Sequence, residues 1–494
     1  MGSERSDMSE RPNILIFMTD QQRGSTVDPR DAALTPVLDR FGRDALRFRN
    51  AFAPSPHCCP SRASFFTGLY PSRHGVWNNI CVRNAFSTGL RDGVGLWCED
   101  LAAAGYRLDW NGKWHVDFER GPEDFGFHVH TITAGARKHG QGAMGAEWAD
   151  YEREPGRALP ADEARRRPGE IQREGWGSYS HYGVSENPFG DGDHVASACA
   201  RIRERDDSAP WLHFIAPLGP HDPYFAPQRF LDLYDPGAVE LPDCFDDAME
   251  DKPGLYRRTR ARFGQLSRDE HREALRHYRA LCSYEDHLFG EVLAALDASG
   301  QAADTVVIYC SDHGDYRGDH GLWCKGLPCF RGAYEVPLLV RWPGVTDGGG
   351  EIDAFASLVD VGPTIHELSG MRADGREFAG RSLAPLLRGR PPGDWRDAVF
   401  TQTNGNELYG IQRSVVTGDW KLVYNGFDED ELYDLREDPL ETRNLARDES
   451  LREVRRGLYR RLWQFARAQD DPIVNDYIAT ALAEFGPGVG SAGE

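Results

Sequence analysis

Two apolar runs limit what this chain can become. NILIFMTD (13–20) ends at Asp20, and TVVIYCSDHGD (305–315) leaves its apolar stretch at Asp312 and His313. Neither alternates polar with apolar, and each is short, as in a strand covered on both faces of a sheet. WLHFIAPLGPHDP (211–223) has the same form and ends at His221. Helical patterns separate these runs. TPVLDRFGRDALRF (35–48) has helical spacing and runs into a short strand. Residues 92–115 read as a helix, a stop at Gly105, a strand, and a loop carrying Lys113 and His115. HVASACARIRERDD (194–207) is a helix, and residues 271–300 form a long amphipathic helix with a glycine stop. Strand–helix alternation on this scale predicts an α/β fold, a large mostly parallel sheet with helices on both faces. Ligands of such sheets bind beyond the carboxyl ends of the strands. Asp20, Lys113, His221, Asp312 and His313 all fall at or just past such ends. Polar loops would account for one or two of them, but not for this mixture of carboxylates, imidazoles and a lysine.

The pattern changes after residue 385. DAVFTQTNG, QRSVVTGDWKLVYN and ELYDL read as short strands of an antiparallel sheet, and 451–469 as a helix with an apolar stripe. The expected organisation is a disordered leader at 1–11, a catalytic domain at 12–385, and a smaller α+β subdomain at 386–494. Weakly periodic insertions fall at about 128–192 and 225–270. The Gly-rich tail from 485 is expected to be flexible.

Composition narrows the partners. The chain has 494 residues, of which 40% are hydrophobic and 11% aromatic, enough for a buried core. Its formal charge is −21, with no basic stripe, which argues against nucleic acid. An anionic substrate would need positive charge gathered locally. No apolar run approaches bilayer length, so no membrane partner is expected. The N-terminal MGSERSDMSERP lacks the apolar segment of a signal peptide, and 10 scattered cysteines suit a reducing compartment. The expectation is a cytoplasmic protein; a removed leader and a homo-oligomer both stay open.

HCCPSR (57–62) needs its own explanation. Its cysteines have neither the CxxC spacing of a redox pair nor the ligand spacing of a zinc site. Asp20, Asp312 and His313 add an oxygen-rich ligand set from distant segments. Oxygen ligands suit Ca²⁺, Mg²⁺ or Mn²⁺, and an imidazole tilts the choice towards Mn²⁺ or Zn²⁺.

At these residues the chain resembles the type I sulfatases of the alkaline phosphatase superfamily. The family's C-x-P-S-R is Cys58, Cys59, Pro60, Ser61, Arg62, followed by ASFFTGLYPSRHG. Its G-K-W-H stands at 112–115, its histidine in PHDP at 220–223, its S-D-H-G-D at 311–315, and its lysine in GDHGLWCKG at Lys325. VPLLVRWPG (336–344) and WKLVY…ELYDLREDP also match, in order along nearly the whole chain.

The resemblance implies an alkaline-phosphatase-like fold and hydrolysis of an aryl, alkyl or sugar sulfate. It implies that Cys58 is oxidised to formylglycine by a formylglycine-generating enzyme, with Cys59 a small buried filler. The hydrated aldehyde attacks sulfur through one hydroxyl, and loss of a proton from the other expels sulfate. A thiolate would leave only a thiosulfate-like adduct. One divalent metal, Ca²⁺ or Mn²⁺, is implied on Asp20, Gln21, residue 58, Asp312 and His313, lowering the hydroxyl pKa. Arg62, Lys113 and His115 would surround the diol. His221 and Lys325 would contact the sulfate, with His221 the general acid, and Asn78 joins them as a substrate contact. Residue 58 should open a helix, where backbone N–H groups favour anions.

The metal motif departs from the commoner Asp-Asp and Asp-Asn pairs. Asp20-Gln21 and Asp312-His313 look more like the choline sulfatase and phosphonate monoester hydrolase branches. A phosphonate monoester or phosphodiester hydrolase using the same formylglycine is therefore the alternative. A non-catalytic binding protein on this fold is a remote one, opposed by the intact residue set.

Overall fold

A computed structural model describes residues 11–490 apart from 81, 83, 134–165, 174–176, 206–208, 372–374 and 476–484. The main sheet has eight strands: β1 Asn13–Thr19, β2 Leu46–Phe48, β3 Arg107–Lys113, β4 Phe127–Thr133, β5 Trp211–Ala216, β6 Thr305–Ser311, β7 Leu338–Arg341 and β8 Gly350–Ile352. Their order is β8-β2-β7-β6-β1-β5-β3-β4. Only β7 runs antiparallel to its neighbours, so the sheet is mostly parallel as expected.

The apolar runs are central strands because both their faces are covered. Ile14, Ile16 and Met18 face one layer, and Leu15 and Phe17 the other, the period-2 alternation of a strand. The first layer contains α1, Cys58–Thr67, whose Phe65 and Phe66 pack with Trp97, Trp110 and Phe214. The second contains α2, Asp191–Arg203, and α3, Arg268–Ala298. The α3 N-terminus is closed reciprocally: Ser267 N–H donates to Glu270 Oε2 at 2.7 Å, and Glu270 N–H to Ser267 Oγ at 3.3 Å.

The C-terminal part is an antiparallel meander: β9 Ala398–Gly405, β10 Tyr409–Thr417, β11 Trp420–Asn425 and β12 Glu431–Asp434. One face takes α4, Arg452–Ala468, through Leu458, Leu462 and Trp463. The other packs Val399, Val416, Val423 and Tyr433 against Phe52, Tyr256, Tyr316 and Phe330 of the larger part.

Two expectations need correction. The tail is held at its start: Phe485 stacks on Tyr459 with centroids 5.2 Å apart, and its carbonyl accepts the Trp463 indole N–H at 2.7 Å. An aromatic ring covering the end of the α4 stripe outweighs the glycines around it. Residues 491–494 lie outside the described residues. Second, 127–133 is not inserted; it is the edge strand β4 of the main sheet. Its weak periodicity is that of an edge, where His128 is exposed and His130 reaches Asp109 at 2.6 Å. Most of the remaining 128–192 expectation, 134–165 and 174–176, falls outside the described residues.

Candidate active site

Register assembles the site. β1 and β6 pair in parallel with Thr19 opposite Ser311, so the next residues, Asp20 and Asp312, emerge side by side at the carboxyl edge. β3 and β5 pair with Gly112 opposite Ala216, which brings Lys113 to the same edge. A Cβ on Gly112 (φ 95°) would overlap the Ala216 carbonyl oxygen, so a glycine stands just before Lys113, the last residue of the strand.

Cys58 is the first residue of α1, with His57 as its N-cap. Asp20, Cys58, Asp312 and His313 are all buried and offer ligand atoms within 4.8 Å of one another. Cys58 Sγ lies 3.2 Å from His313 Nε2 and 3.8 Å from Asp20 Oδ1. His313 Nδ1 faces the Gly314 carbonyl at 2.9 Å; donating there leaves the Nε2 lone pair turned to the cluster. Burial, opposed by Asp312, lowers the His313 pKa and keeps that lone pair free. Two carboxylates, an imidazole and residue 58 form a donor set that fits a divalent cation.

Cations wrap this cluster. Arg62, fully buried one turn into α1, donates from Nε to Asp312 Oδ2 at 2.7 Å and from Nη1 to the Lys113 carbonyl at 3.1 Å. Its Nη2 lies 3.3 Å from Asp20 Oδ2, which also pairs with Lys113 Nζ. Burial by itself would raise the Asp20 carboxyl, but the Lys113 and Arg62 cations beside it hold it well below the usual range. Asp20 is therefore ionised and ready to bind metal. Burial, then the Lys113 and Arg62 charges, push His115 well below the usual histidine range, so it stands neutral.

Cys58, Lys113, His115, His221 and Lys325 line one cavity of about 330 Å³. Lys325 Nζ lies 2.6 Å from His221 Nε2, and His221 Nδ1 meets the Asp222 carbonyl. With a charged lysine, both contacts are hydrogen bonds only if His221 carries its proton on Nδ1 and accepts at Nε2. Burial would lower the Lys325 pKa, but the charges of residue 58, Asp222 and Asp20 raise it, so the ammonium persists.

Two expected residues sit elsewhere. The Gln21 amide is committed outside the cluster: Nε2 donates to Asp315 Oδ2 at 2.6 Å, and Oε1 accepts from Lys325. Asn78 is buried beside its own loop, donating to the Asn84 carbonyl at 3.2 Å and accepting from Phe86 N–H at 3.0 Å. Its neighbour Asn79 lines the cavity instead and accepts the Cys59 N–H at 3.2 Å. Cys59 itself fills the core. Sequence reading missed Tyr179, Asp222, Thr259, Arg262, Asn406 and Glu407, which complete the wall. Asp222 stood in PHDP beside His221; the others come from segments with no local signal.

The sulfatase family model matches residues 12–371, and an N-sulphoglucosamine sulphohydrolase C-terminal model matches 318–468. The chain belongs to the sulfatase family. It is 30% identical over 453 residues to a choline-sulfatase of Rhizobium meliloti, covering 88% of this chain and 82% of the relative. Its fold matches the phosphonate monoester hydrolase of Agrobacterium radiobacter (TM-score 0.74, 23% identity, 93% and 96% of the chains). It also matches a protein solved with its substrate D-glucosamine-2-N,6-O-disulfate (TM-score 0.72, 21% identity, 94% and 99%). This sulfatase is a sulfuric ester hydrolase acting on sulfate monoesters.

Membership implies a divalent metal and a formylglycine derived from Cys58. In the structure residue 58 is cysteine, and its Sγ stands where an oxygen of the hydrated aldehyde would be. A metal bound by Asp20, Asp312, His313 and residue 58 would supply positive charge that acidifies a hydroxyl and screens a sulfuryl group. The chain's own groups do the rest: the α1 N-terminus and Arg62 steady negative charge at residue 58, and Lys113 and Lys325 supply cations at the cavity floor.

Proposed function

We propose that this sulfatase hydrolyses sulfate monoesters of small polyhydroxylated alcohols, sugar sulfates in particular, with Mn²⁺ as its metal and His221 as the acid that protonates the leaving alcohol. The observation that carries the reading is the convergence of Lys113, His115, His221 and Lys325 on one cavity with residue 58. An anionic ester enters a site whose positive charge is gathered locally, in a chain of formal charge −21. The outer wall favours a sugar. Asn79, Thr259, Asn406, Arg262 and Glu407 offer donors and acceptors for hydroxyl groups, and Tyr179, Phe263 and Trp323 add apolar lining. Arg262 opposes a quaternary ammonium such as choline. The glucosamine disulfate bound by the structural neighbour supports the same class. Manganese is favoured because the imidazole of His313 replaces a hard oxygen, and the Gln21 oxygen is occupied by Lys325.

The proton path follows from the hydrogen bonds. When a sulfate draws the Lys325 ammonium to its oxygens, His221 Nε2 is released to take up a proton from solvent, and the imidazolium then passes that proton to the ester oxygen. The Asp222 carbonyl fixes the ring through Nδ1. His115, held neutral, takes the proton whose loss frees sulfate.

The test is kcat/KM of Mn²⁺-loaded enzyme on glucosamine 6-sulfate, choline sulfate, 4-nitrophenyl sulfate and a phenylphosphonate monoester. Peptide mass spectrometry of the same sample should find formylglycine at 58 and cysteine at 59. The sugar sulfate should lead choline sulfate. A preference for the phosphonate ester would overturn the substrate reading, and equal activity in metal-free enzyme would overturn the metal.

A further inference from the structure

Two buried carboxyl groups lie behind the loop that carries His221, where the chemistry above does not use them. Asp191 opens α2 and Glu285 sits in the middle of α3, and neither has exposed surface. Asp191 is committed to that loop: Leu218 N–H donates to its Oδ1 and Gly219 N–H to its Oδ2, both at 2.8 Å. The loop in turn meets the site. The Gly219 carbonyl accepts the Asp20 N–H at 3.2 Å, and the His221 N–H bonds to the Leu218 carbonyl at 3.1 Å. Gly219 packs so tightly on Glu285 that a Cβ there would overlap Oε1. Neither Glu285 oxygen has a hydrogen-bond partner among the described residues.

A carboxylate taking two adjacent backbone N–H groups fixes both the position and the plane of a peptide. With His221 two residues further on, that peptide sets where the imidazole stands. We propose that Asp191 is a positioning residue for His221, clamping the 218–219 backbone while the Glu285 side chain forms a wall that sets how deep Gly219 sits. Burial pushes Asp191 up to about 7 and, with the Asp191 charge beside it, pushes Glu285 well above the usual carboxylate range. Glu285 is thus the uncharged member, which is why it tolerates having no partner. The proposal rests on the sulfatase reading, because His221 is placed by it at the reacting ester.

Asp191→Asn keeps the shape and one acceptor but loses the second; Asp191→Ala loses both. Each is made in the wild-type and the His221→Ala background and assayed on a sugar sulfate. Misplacing a reacting group by about 1 Å costs on the order of a hundredfold. Asp191→Asn should therefore lower kcat roughly tenfold to a hundredfold with KM little changed, and should cost less than about twofold once His221 is gone. Amide hydrogen exchange should speed up at Leu218 and Gly219 and stay unchanged along the rest of α2. An equal loss in both backgrounds would overturn the proposal, as would unchanged exchange at those two amides. If Asp191→Ala fails to fold, Asp191→Asn carries the test. Should no sulfate ester be turned over by any form, the sulfatase reading fails, and the exchange measurement still decides the clamp.

Discussion

His221 and Lys325 touch each other, yet they do different work on a bound ester. A proton matters most to a poor leaving group, because a departing alkoxide is a strong base and a nitrophenolate is not. General acid assistance is typically worth about two to four powers of ten. His221→Ala should slow a sugar sulfate by roughly that range and 4-nitrophenyl sulfate far less. Lys325→Ala should slow both alike, since a fixed cation at the sulfuryl oxygens serves either leaving group. Steady-state kinetics of both variants on both esters decides it; an equal penalty from His221→Ala would make the histidine a sulfate-binding group. Lys325 also holds the Gln21 oxygen, so its loss should loosen Gln21 while leaving the metal cluster intact.

Among the elements, the end of β3 carries the most concentrated demand. Lys113 must reach Asp20 while the strand still pairs with β5, and only a residue without a side chain fits between Lys113 and the Ala216 carbonyl. Gly112→Ala meets two penalties. Overpacking costs about 1–3 kcal/mol, and a left-handed backbone with a Cβ adds roughly 1–2 kcal/mol. Urea denaturation should show a loss of about 2–5 kcal/mol with an unchanged m value. Asp20–Lys113 pairing, and with it turnover, should fall further than that global loss requires. A variant as stable as wild type would mean that β3 and β5 can part without harm.

The whole molecule is joined through a buried polar seam. Glu431 on β12 accepts the hydroxyls of Tyr256 and Tyr433, each at 2.5 Å, and the Asn425 amide at 2.8 Å. Lys421 on β11 pairs with Glu441 at 2.7 Å and also donates to the Cys329 carbonyl of the larger part. Removing one partner of a buried pair strands the other, at a cost of about 3–5 kcal/mol. Lys421→Met should lose roughly that much. Because the seam and the apolar contacts above it join both parts, thermal unfolding should stay a single calorimetric transition with a lower midpoint. Two separated transitions would show that the C-terminal sheet folds independently.

The sequence alone determined the sheet, because unalternating apolar runs cannot be covered except in its middle, and it placed Asp20, Lys113 and Asp312 at strand ends; His221, expected at one, stands instead in the loop beyond β5, which stops at Ala216. Its motifs also marked Cys58, Arg62, His115, His313 and Lys325, all of which meet at the cavity or its metal cluster. Tertiary structure alone decided which neighbours those groups have. Gln21 follows a ligand in the chain, yet its amide is taken by Asp315 and Lys325, 294 and 304 positions away. Asn78 and Asn79 are adjacent, and only the bonds of Asn78 to Asn84 and Phe86 decided which of them faces the cavity. Arg262 and Glu407 carry no local pattern, because a wall built from two distant segments exists only once the chain has closed around it. Asp191 and Glu285 look like ordinary helix residues in sequence; their burial behind Gly219 follows from α2 and α3 packing on one face of the sheet, a relation no short window of sequence contains.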